Sequence, residues 1–592
     1  MTGYKAGSIT VKQIGFLALV LALSGCGGAG TGGGNTATGP STSASSAVGS
    51  GVEKNAVSVL PSTDSSTSPP ASTAPASTPP ANTNANAAGA GVQLSGAVTY
   101  DRVPFKASGG LDYPATFAAP VRGVRVQLLN GQAETLATTI TDAQGHYRFS
   151  APSNTPVKVR VLAQLFSSSP SWQVTVGDNT QNNASYVVEG SLASTGTGAK
   201  QSRDLHAGSG WAGGAYTLPR SAAPFAILDS IYDSLQLLVS ADPFVNLPNL
   251  NVRWSEKNLP ASGSLAQGFI GSSMYSAYDA TIYVLGKADN DSDEYDRGVI
   301  QHEFGHFVEN KLSRSESIGG AHNLDSKVDL RVAFGEGWGN AFAGMSANDP
   351  VYRDSMGAGQ AQAFAFDAED NTSSSMGWYN ERSVQSILWD IFDRADDGDD
   401  RVSLGFGALY QALHSQAYRD YDGLTSIYPV MELVKRQNPQ HAAQISKLMQ
   451  GQQIMGSGMY GEGETNDSGY PLMLPVYQTL ALGGNTSLCS QNHWQDFNGA
   501  DARRLVLLHV PADGNYTLSA KVGNNSMPGS DPDFRLWRNG QFVLQSTSAS
   551  TGEETTTRKL TQGTYTLELY DSSNADDNSA TGGLACFALS FN

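Results

Sequence analysis

Positive charge is scarce in this chain of 592 residues: 36 Lys and Arg stand against 54 Asp and Glu, giving a formal net charge of −18 and a pI of about 4.9. A field of that sign repels phosphates and no basic patch offsets it, so a nucleic-acid partner is excluded. Apolar runs long enough to cross a bilayer are also missing. The run at Ile14–Leu23 (IGFLALVLAL) is too short for a comfortable span, and with Lys5 and Lys12 ahead of it has the proportions of a secretory signal. Cysteine is nearly absent, with three in all, and histidine is limited to nine. So few imidazoles make any ordered pair of them informative.

One such pair exists. His302 and His306 flank Glu303 in the sequence HEFGH. The surrounding stretch, Tyr295–Leu312 (YDRGVIQHEFGHFVENKL), spaces Val299, Ile300, Phe304, Phe307, Val308 and Leu312 with a helical period and contains no proline. A helix is therefore predicted, with Asp293 or Asp296 as its N-terminal cap. Residues four apart on a helix lie one above the other, so both imidazoles can grip one zinc ion, with Glu303 placed to act on a water held there. A zinc hydrolase needs a third protein ligand. The nearby option, a glycine and a third histidine at fixed spacing, fails because Glu309 and Leu312 stand in those places, which removes a metzincin. Further along, Val332–Met345 (VAFGEGWGNAFAGM) holds a single acid, Glu336, taken as the third ligand. Gly335, Gly337 and Gly339 around it suit two helix backbones that must approach closely about a metal. His322, Asp325 and Asp329 lie between the two segments as lesser candidates.

HEFGH followed by GEGWGN resembles the gluzincin metallopeptidases, the thermolysin-like and especially the fungalysin-like branch, whose pattern is HExxH and then EGW. The resemblance implies zinc on His302, His306 and Glu336, Glu303 as general base, and a peptide or protein substrate cleaved internally. In those families an aspartate four residues after the ligand Glu supports the first histidine; here that place is Asn340, an amide that accepts the imidazole N–H without bringing charge. The families also use a His or Tyr to stabilise the oxyanion, for which His322, Tyr379, His414 and Tyr428 are the candidates. Ala280–Gly286 (ATIYVLG) alternates as a strand, and the resemblance makes it the edge that pairs with extended substrate. Two rival readings stay open. One is a cell-surface binding or adhesion lipoprotein with a structural or weakly active zinc site, favoured by Asn340. The other is a gluzincin aminopeptidase, ranked lower because GSSMYS at Gly271–Ser276 stands where that family shows Gly-x-Met-Glu-Asn. Two acidic segments, Asp289–Asp296 (DNDSDEYD) and Asp393–Asp400 (DRADDGDD), offer oxygens to calcium, but neither fits an EF-hand loop; solvated acid turns are expected first and calcium second.

The rest of the chain supplies the setting. Leu23–Cys26 (LSGC) resembles the bacterial lipobox, which implies a signal peptide over 1–25, lipid on Cys26 and, with Gly27 following, an outer-membrane address if the host is Gram-negative. Residues 26–91 are dominated by Gly, Ala, Ser, Thr, Asn and Pro, too polar to order themselves; as a random coil such a tether reaches about 45 Å. With Cys26 assigned to lipid, Cys489 and Cys586 remain as a disulfide in an exported chain. Three folded units are expected, and a monomer. Residues 92–187 resemble the carboxypeptidase-regulatory, transthyretin-like β-sandwich at Gly96–Val98, Gly123–Leu128 and Thr141–Phe149. Residues 211–475, with helical stripes at Ile227, Ile231, Leu235 and Leu238 and at Val384, Ile387, Leu388 and Ile391, form the α+β zincin-like catalytic domain. Residues 482–592 return to strands as a β-sandwich or jelly roll, and resemble the pre-peptidase C-terminal domain at Gly514–Leu518 and Gly563–Leu567.

Overall fold

The computed structural model describes residues 91–370, 373–394, 401–575 and 582–592, together with the backbone of two short strands, Leu23–Gly25 and Val57–Leu60. Cys26 and most of the expected signal and tether lie outside the described residues, as does 395–400 of the second acidic segment. Val57–Leu60, inside the expected tether, pairs with Ser185–Val188.

The fold is mostly β-sheet with a small helical middle. Alternation decides the first part. Val92–Arg102 buries Val92, Leu94, Val98 and Tyr100 on one face and pairs with 117–120, 146–151, 200–202 and 205–207. A second sheet contains 124–129, 135–140, 156–168, 171–178 and 184–189, and the apolar faces of both sheets share one core. That second sheet does not stop where the sequence breaks between 187 and 211. Ser171–Asp178 pairs in parallel with Leu250–Trp254, which pairs in parallel with Thr281–Val284, so the first and middle units expected as separate are one ten-stranded sheet. The physical reason is an open strand edge on the sandwich, which the buried side chains of Leu250, Val252 and Trp254 allow the next segment to cover. Thr281–Val284 is also not the edge. Met274–Ser276 pairs antiparallel outside it and takes that position.

Helix α1 (Ala223–Ala241) buries Ile227, Ile231, Leu235 and Leu238 as its stripe requires. It packs beside α2 (Arg297–Leu312) and α3 (Leu330–Ala347), and α4 (Glu381–Phe392) covers the far side of α3. Four shorter helices, α5 (Phe406–His414), α6 (Gln416–Arg419), α7 (Ile427–Gln437) and α8 (Ala442–Gly451), complete the middle. No helix among the described residues is long and apolar enough to cross a membrane.

The last unit is a two-sheet β-sandwich with its own core around Val506, Leu536, Leu567 and Phe587. Cys489 and Cys586 face each other on paired strands and form the expected disulfide. Arg331 on α3 joins this sandwich to the middle, donating to Glu568 at 2.9 Å and to Asp329 at 2.8 Å, while Arg503 Nε holds the same Glu568 at 2.9 Å.

Candidate metal centre

Small residues let two helices close on one point. A Cβ on Gly305 of α2 would sit 3.3 Å from the Cα of Gly339 on α3, and a Cβ on Gly337 would meet Val384 of α4 at 2.5 Å. Glycine at these places is the condition for α3 to lie between its neighbours. Trp338 Nε1 donates to the Gly305 carbonyl at 2.9 Å and pins the α2–α3 contact. Asp296, one of the two expected caps, does start α2, but its carboxylate accepts from Ser355 N at 2.7 Å and from Ser355 Oγ, not from the helix amides.

That packing brings His302, His306 and Glu336 together. His302 Nε2 lies 3.0 Å from His306 Nε2 and 3.2 Å from Glu336 Oε2, and His306 Nε2 lies 3.4 Å from the same oxygen. A tetrahedral ion with bonds of about 2.0–2.1 Å needs donor atoms about 3.3 Å apart, so two imidazole nitrogens and one carboxylate oxygen at these separations fit zinc. Asn340 stands where the sequence put it: His302 Nδ1 donates to Asn340 Oδ1 at 2.9 Å, and Asn340 Nδ2 donates to Gln385 Oε1 at 2.9 Å. The first bond fixes the ring so that Nε2 faces the other two donors. Burial would raise the Glu336 pKa, yet the neighbouring His322 and His306 hold it well below the usual carboxylate range. Glu303 lines the same cavity as the histidines, and its Oε2 accepts from Tyr275 N at 2.6 Å on the edge strand; burial pushes its pKa up to about 7 against the pull of His302.

Of the four oxyanion candidates, only His322 is here. Its Nε2 lies 3.4 Å from Glu336 Oε2 and its Nδ1 donates to Glu381 Oε2 at 2.7 Å. Burial lowers its pKa, but Glu336 and Glu381 more than reverse this and raise it to about 10. The other three serve packing elsewhere: Tyr379 OH bonds to Asn466, Tyr428 OH to Glu464, and His414 stacks on Tyr410 and bonds to its carbonyl. Asp329 caps α3, accepting from Arg331 N at 3.0 Å, and Asp325 accepts from Ser373 Oγ at 3.1 Å; neither joins the converging group.

The first acidic segment corrects the sequence reading. Asp291, Asp293, Glu294 and Asp296 are buried, not solvated, because the hairpin of Gly286–Lys287 and Asp291–Ser292 folds against Val351–Met356. Glu294 is neutralised by Arg220. Glu381, Gln385 and Asp354 were missed in the sequence; each acts through a residue more than 35 positions away, and no local spacing announces them. A cavity of about 450 Å³ opens over the centre, lined by Met274, Leu285, Val299, Phe364 and Phe366 on its apolar side and by Glu303 and His322 together with His302, His306 and Glu336.

Residues 248–422, under a third of the chain, match the profile of the Mycolysin C-terminal domain, and they contain every residue of the centre from Tyr275 to Gln385. A search of curated proteins finds no match. Among solved structures, the pre-peptidase C-terminal domain of collagenase from Bacillus anthracis is 14% identical over 20% of this chain and 94% of its own, with a TM-score of 0.15. PliG, a periplasmic lysozyme inhibitor of g-type lysozyme from Aeromonas hydrophila, is 15% identical over 20% and 97%, with a TM-score of 0.13. Scores this low carry no argument, and the similarity that counts is the first: the chain is peptidase-related.

Proposed function

We propose that the chain is an exported, lipid-anchored zinc endopeptidase of the gluzincin kind. The observation that carries the reading is the convergence of His302 Nε2, His306 Nε2 and Glu336 Oε2 within 3.0–3.4 Å, beneath a cavity lined by a buried Glu303. Zinc held there supplies a Lewis acid and a water acidified towards neutrality. The chain supplies the rest. Glu303, with its pKa pushed up to about 7, takes a proton at Oε1 or Oε2 and passes it to the leaving amine, as a general base and then acid. His322, oriented by Glu381, offers Nε2 to the developing oxyanion from the side of Glu336. The apolar wall of the cavity excludes water and receives a substrate side chain, while Gly271–Ser273, leading into the edge strand, aligns the peptide backbone. Signal peptide 1–25, lipid on Cys26 and the tether to residue 91 would hold this body at the cell envelope, with the β-sandwiches on either side as accessory modules.

Glu303→Gln tests it. The variant should keep one zinc per chain and lose peptide cleavage by roughly a thousandfold, in the range that general-base removal produces. Wild type that binds zinc but cleaves no member of a peptide library faster than Glu303→Gln would leave the binding-lipoprotein reading, which the uncharged Asn340 favours. Peptides blocked at both ends separate the endopeptidase, which cuts them, from an aminopeptidase, which does not.

A further inference from the structure

A second group of carboxylates stands apart from the histidines. Asp291 and Asp293, on the hairpin before α2, meet Asp354 on the strand Val351–Met356, and one oxygen from each lies within 4.8 Å of the others. All three residues are more than nine-tenths buried, at 8%, 2% and 8% exposure. Uncompensated charge at such depth is costly. Yet no Lys or Arg forms an ion pair with any of them among the described residues, and the Oδ1 atom of each is buried without a hydrogen-bond partner. Burial, and then mutual repulsion, push Asp293 and Asp354 well above the usual carboxylate range.

We infer that Asp291, Asp293 and Asp354 bind a calcium ion. The donor set is oxygen only, the choice of a hard cation, and oxygens all within 4.8 Å of one another can reach a single ion at Ca–O distances of about 2.4 Å. A lysine or a substrate amine is a poorer fit, because the unpartnered oxygens present almost no surface to solvent and a bare ion reaches them where a carbon stem does not. The same three residues are among those that line the cavity, through which water would complete the coordination shell. The ion also has work to do. Ser273 Oγ donates to Asp293 Oδ2 and accepts from Leu285 N at 2.9 Å, and two residues later Tyr275 N holds Glu303. Asp296 at the start of α2 is bonded to Ser355, next to Asp354. Calcium would therefore tie the hairpin, the edge strand and the start of the metal-binding helix to one strand, without being a ligand in the chemistry itself.

The test uses the mature chain stripped with a chelator, titrated calorimetrically with calcium, magnesium or zinc, and melted with and without millimolar calcium. One equivalent of calcium should bind in wild type and equally in Glu336→Gln, whose defect is confined to the histidine centre. Calcium a hundredfold above its Kd should raise the melting temperature by roughly 5 °C. Asp354→Asn should lose that binding and that rise, while melting without calcium no lower than wild type, since one uncompensated charge has been removed. This crossed result distinguishes a lost ion from a damaged fold. Absence of calcium uptake by wild type, uptake unchanged in Asp354→Asn, or preference for magnesium at equal concentration would each overturn the assignment, as would zinc uptake that Asp354→Asn reduces by one equivalent.

Discussion

A single methyl group at position 339 probes whether the histidine centre is built as described. In Gly339→Ala the new Cβ would lie 2.7 Å from Cε1, 2.8 Å from Nδ1 and 2.9 Å from Nε2 of His302. Ordinary carbon contacts begin near 3.5 Å, so the ring must withdraw by about 0.8 Å. It has little freedom to do so, because Asn340 Oδ1 holds Nδ1 at 2.9 Å. Metal–ligand distances tolerate only about 0.2 Å, so a shift of that size removes His302 from the trio. Zinc affinity should fall at least a hundredfold, about 2.8 kcal/mol. Fold stability should move the other way or not at all, since alanine in a helix interior is favoured over glycine by about 1 kcal/mol. Gly335→Ala is the control on the same helix: its Cβ would meet nothing nearer than Glu309 Oε2 at 3.6 Å, an ordinary contact. That variant should bind zinc like wild type and melt slightly higher. Zinc affinity is read by competition with a chromophoric chelator, and folding by circular dichroism. A folded Gly339→Ala with wild-type zinc affinity would refute the close packing of α3 on His302.

Further outcomes follow from other parts of the molecule. Burial raises the Glu568 pKa, but Arg331 and Arg503 more than offset it and hold it at about 2 against an ordinary 4.5. A depressed folded-state pKa means stability that is full above about pH 4.5 and lost as pH falls towards 2; the shift is worth about 3 kcal/mol. Glu568→Gln should flatten acid unfolding over that window, and an unchanged acid profile would deny the pair its role. The Cys489–Cys586 bridge closes a separation of 97 residues, for which chain entropy gives about 4 to 5 kcal/mol; reduction, or replacement of both cysteines by serine, should sharply lower the melting temperature of the last sandwich, and an equal melting temperature would count against it. Asn340→Asp keeps the acceptor for His302 Nδ1, and Gln385 Nε2, which has no partner, can turn to serve the new carboxylate. Zinc should bind about tenfold tighter by chelator competition, and weaker binding would reject this account of the residue.

The histidine centre was legible because its information is local. His302 and His306 sit four apart on one helix, and Glu336 is a lone acid among small residues on the next, so identity and period were enough. Gly339 was legible in kind, as a small residue where backbones approach, but not in detail: that its open side belongs to the His302 ring depends on how α2 and α3 cross. The sheet was less legible. Leu250–Trp254 reads as a strand by alternation, but nothing in its residues says that it joins Ser171–Asp178 in parallel, because parallel register is set by a distant partner. Met274–Ser276 is three residues long, too short to show a period, so the edge was placed one strand too far in.

The acidic segment shows why composition misleads when charge is read without depth. A run such as DNDSDEYD reads as a solvated turn because isolated carboxylates belong in water. Here the hairpin folds it inward, and each acid then needs its own compensation. Glu294 obtains it from Arg220 and Asp296 from Ser355, both by hydrogen bonds to residues 59 or more positions away. Asp293 has a hydroxyl partner in Ser273 on Oδ2, but Asp291 and Asp293 each keep a buried Oδ1 without a partner and gain a third carboxylate, Asp354, instead. Two of the buried acids are thus satisfied by the chain and the remaining cluster is not, a division that solvated-turn chemistry does not explain and that a divalent cation does.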